Sequence, residues 1–95
     1  MIRNVLVARL RPEARPEDAE KGLAAMRALQ VDGLLDMKSG LDAGLREGNW
    51  DLSITTDFAD AEAYRRYDTD EEHNRIRREF FAPICADMVR IQFEV

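Results

Sequence analysis

The sequence predicts an α+β fold in which one antiparallel sheet carries its helices on a single face. Three observations lead there. Segments with strand and helix character follow one another in the order β-α-β-β-α-α-β. The first and last strand segments are apolar on a face that those helices cannot also cover. The chain has 95 residues, the length of one domain, and nothing is left over to supply a further layer. A single domain spanning residues 1–95 is expected.

Residues 2–10 form the first expected strand. Ile2, Leu6, Ala8 and Leu10 share a face with Asn4, and Val5 and Val7 lie on the other, so both faces need cover. Pro12 to Pro16 punctuates a loop. Residues 16–30 are expected to be helical: Pro16 suits the first turn, Glu17 and Asp18 complement the positive end of the dipole, and Ala19, Leu23, Met26 and Leu29 form one stripe. Val31-Asp32-Gly33 ends that helix. Residues 34–41 alternate as a strand, with Leu35, Met37, Ser39 and Leu41 opposite Leu34, Asp36 and Lys38. A glycine-containing loop follows, and residues 50–58 make the clearest strand, with Trp50, Leu52, Ile54, Thr56 and Phe58 on one face. Asp60 is an expected N-cap for a short helix through Tyr67. Thr69-Asp70-Glu71-Glu72 has the form of a capping box for the next helix, which runs to about Ala82, ahead of Pro83, with His73, Ile76, Phe80 and Ile84 on one stripe. Residues 87–95 close the chain as a strand, with Val89, Ile91, Phe93 and Val95 on one side. The order is a split βαβ, the ferredoxin-like arrangement. The uncovered apolar face of its sheet is most economically buried against a second copy, which gives a two-fold homodimer and a dimeric α+β barrel.

Composition narrows the function. The 14 Lys+Arg and 19 Asp+Glu leave a net charge of −5 and a pI near 4.8, a poor basis for binding nucleic acid through its phosphates. No apolar run approaches the roughly 18 residues that span a bilayer, so no membrane partner is expected. The opening residues read straight into strand sequence, so no signal peptide is expected. One cysteine, Cys85, cannot close an internal disulfide and fits a reducing, cytoplasmic compartment. There is no zinc spacing, glycine-rich phosphate loop or nucleophile elbow. The acidic run Asp68 to Glu72 lacks the glycine and terminal glutamate of a calcium loop, so neither a metal nor a cofactor is expected. Glu71 and Arg75 are spaced to pair along a helix.

Four stretches carry a resemblance: Met1-Ile2-Arg3-Asn4-Val5-Leu6-Val7; Trp50-Asp51-Leu52-Ser53-Ile54 leading to Asp57-Phe58-Ala59-Asp60; Tyr67-Asp68-Thr69-Asp70-Glu71-Glu72-His73; and Asp87-Met88-Val89-Arg90-Ile91-Gln92-Phe93-Glu94. Together the chain resembles the Dabb family of stress-responsive dimeric α/β barrels over essentially its whole length. The resemblance implies a dimer whose two sheets form a barrel. Plant members of that family include heat-stable stress proteins and a cofactor-free polyketide cyclase, in which a Tyr and a His six residues later carry an aldol closure. Tyr67 and His73 match that pair in type and spacing. Asn4 stands where family members often carry a first-strand His, and Asp70-Glu71-Glu72-His73 replaces a frequent His-Pro-Xaa-His.

Three readings follow. In the first, the chain is a homodimeric binding module with a pocket between sheet and helices for an apolar or aromatic metabolite, lined by Asn4, Leu6, Met26, Trp50, Ile76 and Phe80. In the second, the same pocket is a cofactor-free cyclase, lyase or monooxygenase site. There His73, the only histidine, is a general base and Tyr67 stabilises an enolate. In the third, the chain is a stress-protective dimer with no ligand. His73 is then a core residue and Tyr67 fills the helix–sheet layer.

Overall fold

The computed structural model covers residues 1–95 and has the element order β1 (Ile2–Leu10), α1 (Pro16–Arg27), β2 (Leu34–Leu41), β3 (Leu52–Phe58), α2 (Ala61–Thr69), α3 (Glu71–Ile76), a π-helical turn (Arg77–Phe81) and β4 (Cys85–Glu94). The four strands form one antiparallel sheet in the order β2-β3-β1-β4. The ferredoxin-like α+β order expected from the sequence is the one observed.

Register explains what each face carries. Asn4 sits between Thr56 on β3 and Gln92 on β4. Ala8 pairs with Leu52 and Met88, and Leu6 with Ile54 and Arg90. These residues face the helices. The alternate row, Val5 and Val7 with Ile91 and Val89, faces away from them. The main core lies under α1, where Ala8, Ala19, Leu23, Met26, Leu52, Ile54, Ile76 and Phe81 are buried. A second cluster of Phe58, Ala63 and Tyr67 lies under α2. The polar row Gln92-Asn4-Thr56 crosses the sheet between the two.

Several local expectations change in the structure. The first helix stops at Arg27 rather than residue 30, because its last turn tightens: Ala28 N–H donates to the Ala25 carbonyl and Leu29 N–H to that of Met26. In β2 a register shift between Leu34 and Asp36 leaves Leu35 exposed, while Leu34 and Met37 both pack inward. The ladder of β3 begins at Leu52, because Asp51 is tied to β1 instead: its N–H donates to the Ala8 carbonyl and its carboxylate accepts from Leu10 N–H at 2.7 Å. Gly33 adopts φ +87°, and a Cβ there would lie 2.5 Å from that of Ala63, so glycine lets the β2 approach pass close under α2.

Asp60 caps α2 as expected, accepting from Ala63 N–H at 2.8 Å. At α3 the cap is Asp70, which accepts from His73 N–H at 2.9 Å, and the Thr69 hydroxyl instead donates to the Arg65 carbonyl. Arg75 pairs with Glu72 and Glu79 rather than with Glu71.

The largest departure follows α3. The helix does not run regularly to Ala82. It widens into a π turn in which Ala82 N–H reaches the Arg77 carbonyl, five residues back, at 2.8 Å. That extra residue rotates the aromatic pair, so that Phe81 is buried and Phe80 only half-buried.

Candidate functional site

A cavity of about 30 Å³ opens where the polar row meets α2, α3 and the π turn, with Asn4, Leu6, Met26, Ile54, Tyr67, His73, Phe81 and Met88 in its wall and Tyr64, Asp68, Arg77 and Arg90 around it. A single water needs about 10–15 Å³ by a comparable measure. The space therefore admits only a few heavy atoms unless side chains move.

The chain brings Tyr67 and His73 together through the break between α2 and α3. Asp70, in extended backbone, ends one helix and caps the next, so residues six apart stack face to face. Their rings lie 3.8 Å apart between centroids at 27°. Phe58 buttresses Tyr67 from behind at 5.1 Å. His73 Nδ1 is shut off from solvent and has no hydrogen-bond partner at proper geometry, and neither does Thr56 Oγ1. Asn4 is held differently from His73: its side-chain oxygen accepts from Gln92 Nε2 at 2.7 Å. The histidine does not depend on Asn4 for its orientation.

Burial sets the protonation states. It pushes the His73 imidazole below its usual 6.5, reinforced by Arg77 and opposed by the nearby Tyr67 carbonyl and the Asp68 and Asp70 carboxylates. His73 is therefore neutral at pH 7. Burial pushes the Tyr67 phenol up to about 12, against the pull of Arg77, so Tyr67 keeps its proton and serves as a donor. A neutral imidazole beside a protonated phenol at the wall of an apolar space can accept a proton from a carbon acid and stabilise the oxyanion that results.

Of the residues singled out in the sequence, Asn4, Leu6, Met26, Tyr67 and His73 meet at this cavity. Three stand outside it. Trp50 precedes the β3 ladder and lies near Val7 and Leu41 with the Arg9 guanidinium 4.5 Å over its ring. Ile76 is buried inside the main core. Phe80 packs against that core from its edge, and the π turn gives its expected place to Phe81. Sequence reading missed Tyr64, Asp68, Arg77, Arg90, Met88, Ile54 and Phe81. The alternation of β4, which sets Met88 and Arg90 opposite Val89 and Ile91, was the signal for two of them.

The fold and this cavity define a ferredoxin-like α+β protein with a small, mostly apolar internal site. The chain belongs to the Dabb family, the stress responsive A/B barrel domain, whose family model matches residues 2–95. Among solved structures it is similar to a dimeric ferredoxin-like protein of unknown function from Thermobifida fusca, with 26% identity, a TM-score of 0.88, and coverage of 99% of this chain and 90% of that one. It is similar in fold to the hydroxynitrile lyase of Passiflora edulis, at 17% identity and TM-score 0.83, covering 99% of this chain and 92% of that one. SnoaB, a cofactor-independent oxygenase from Streptomyces nogalater, shares the fold at 12% identity and TM-score 0.78, with 99% of this chain and 91% of that one covered. A search of curated proteins found no match. No helix is long and apolar enough to cross a membrane.

Proposed function

We propose that the protein is a single-domain homodimer, joined through the outer face of its sheet, that binds a small apolar molecule carrying a carbonyl group in the cavity beside Tyr67 and His73. One observation carries the ligand reading: a buried histidine stacked on a tyrosine at the wall of an apolar cavity, with no group of the chain bonded to its Nε2. A histidine kept only for packing would be expected to have both nitrogens satisfied or to be replaced by an apolar residue. The dimer reading is supported by the exposed Val89, Ile91 and Phe93 and by the dimeric description of the Thermobifida fusca protein. A role in stress response follows the family's description, and a reducing, cytoplasmic setting is consistent with the lone Cys85. The cavity's size favours short-chain ligands, and an aromatic ring enters only if side chains of its wall move.

The protonation states favour a second, catalytic reading. With Nδ1 closed off, Nε2 is the nitrogen left to face a ligand. It would take a proton from the carbon next to the carbonyl. The C–H electron pair would form the carbon–carbon double bond of the enolate, the carbonyl π pair would move to oxygen, and the Tyr67 hydroxyl would hydrogen-bond that oxygen. This chemistry calls on no cofactor.

Titration of the protein with butanone, followed by NMR of the His73 ring, tests the binding reading. Saturable shifts are expected in the wild type and should be lost in a Met26→Trp variant that fills the cavity. Exchange of the butanone α-protons in D₂O tests the catalytic reading. Catalysed exchange that vanishes in His73→Gln and weakens in Tyr67→Phe supports it. Exchange no faster than in buffer leaves a binding module. A His73 ring that no concentration of butanone shifts would overturn the pocket and leave a structural dimer.

A further inference from the structure

The charged groups around the cavity say more about the ligand than its apolar wall does. The chain has more acids than bases, yet two guanidiniums beside this one cavity have no acidic partner. Arg77 Nη1 donates to the Asn74 side-chain oxygen at 3.1 Å, and Arg90 Nη2 rests 3.2 Å from the Met88 sulfur. Neither takes part in any ion pair, a state they share with Arg9, Arg11, Arg46, Arg65, Arg66 and Arg78; what sets these two apart is that both line the cavity. Arg90 belongs to the inward row of β4, paired with Leu6, and Arg77 opens the π turn. Burial, and after it Asp68, raise the pKa of the Tyr64 phenol, and Arg90 and Arg77 both lie close enough to oppose them. Asp68 is the one carboxylate lining the same space, and it forms no ion pair with either arginine. The two guanidiniums and one carboxylate leave a net positive charge beside the cavity, on a chain whose total is −5.

We propose that the ligand is a short-chain oxo acid, with its carbonyl at Tyr67 and His73 and its carboxylate held between Arg77 and Arg90. This rests on the pocket reading above and names the ligand class within it. The geometry separates the two ends of such a molecule. A short alkyl tail suits the space among Leu6, Met26, Ile54 and Phe81, and the anionic end meets donors whose planar fork fits a carboxylate. No acidic partner competes for either guanidinium, and each keeps the donors that Asn74 and Met88 do not engage. Asp68 disfavours a second negative charge, so the class is a monoacid.

The test compares α-ketobutyrate with its uncharged methyl ester, each titrated into the intact protein while the His73 ring is followed by NMR. The acid is expected to bind about tenfold or more tightly than the ester, the range of a hydrogen bond to a charged group. That preference should shrink as salt is raised. Arg90→Gln and Arg77→Gln should each reduce it several-fold and leave the ester's affinity and the Tm near wild type. Arg90→Lys, which keeps the charge and loses the fork, should recover part of it. Equal binding of acid and ester would overturn the carboxylate site while leaving the pocket standing. So would a preference that survives both glutamine substitutions. If neither compound shifts the His73 ring, pocket and carboxylate site both fall.

Discussion

Each face of the sheet carries one row that its cover does not explain. The inner face, roofed by α1, α2 and α3, carries a row of polar side chains, Gln92, Asn4 and Thr56, across its middle. The outer face has no helix over it, yet it presents Val5 and Val7 beside Val89 (54% exposed), Ile91 (61%) and Phe93 (45%). Scattered apolar residues on a surface mean little, but a contiguous set on one sheet face marks a surface meant to be covered. The outer face is the one the proposed dimer would cover. The inner face accepts the cost of burying polar groups, and the cavity lies where that cost is incurred.

If this contrast holds, substitutions on the two faces should fail in different ways. The largest effect is expected at the roof. Leu23 is fully buried between α1 and the sheet, and Leu23→Ala should cost about 3 kcal/mol. Thermal melts should show a Tm loss above about 10 °C; a loss of a degree or two would mean that the core under α1 is not the stabilising one. On the outer face, Ile91→Lys should instead convert dimer to monomer in sedimentation velocity while the far-UV spectrum stays that of a folded chain. A dimer that survives this charge would move the interface elsewhere.

A smaller effect tests how tightly the roof fits. A Cβ at Gly22 would lie 2.7 Å from the Phe81 ring. Alanine is ordinarily the better helix residue by about 1 kcal/mol, yet Gly22→Ala should destabilise the protein by about that amount, because Phe81 is itself buried. Phe81→Leu should restore part of the loss, and a stabilised Gly22→Ala would show that the ring yields freely.

The smallest effect sharpens the polar seam. Because the folded-state pKa of His73 lies below 6.5, the unfolded chain binds a proton that the folded chain refuses. The stability from this group is complete above pH 6.5 and declines as pH falls toward the folded value. His73→Gln should flatten that part of the stability profile, measured by urea unfolding at several pH values. An unchanged acid slope would place its origin in other groups.

Much of this architecture could be read from residue order. The alternation of Val5 and Val7 against Asn4, Leu6 and Ala8 placed β1 and its two faces. Asp60 announced the start of α2, and the resemblance to the Dabb family announced the pairing of Tyr67 with His73. What escaped were places where a single residue changes phase. The shift at Leu35 turns β2, the tether of Asp51 to β1 shortens β3 and strands Trp50, and the π turn exchanges Phe80 for Phe81. The first two depend on hydrogen bonds between distant segments and the third on one local five-residue bond, none of which periodicity reports. The two arginines escaped for a different reason: on a chain rich in charge, only the structure reveals which guanidiniums line the cavity.

The π turn has one more consequence, for how this chain compares with its kin. A widened turn behaves as a one-residue insertion in an otherwise regular helix. Losing one residue between Arg77 and Phe81 would let the helix close as a regular α-helix while Phe81 and the entry to β4 keep their present phase. Keeping the residue but closing the turn would instead rotate everything after it by about 100° relative to α3 and bring Phe80 round in place of Phe81. A homologue shorter by one at this point can therefore present the same chamber, whereas one of equal length with a regular helix would present a different one.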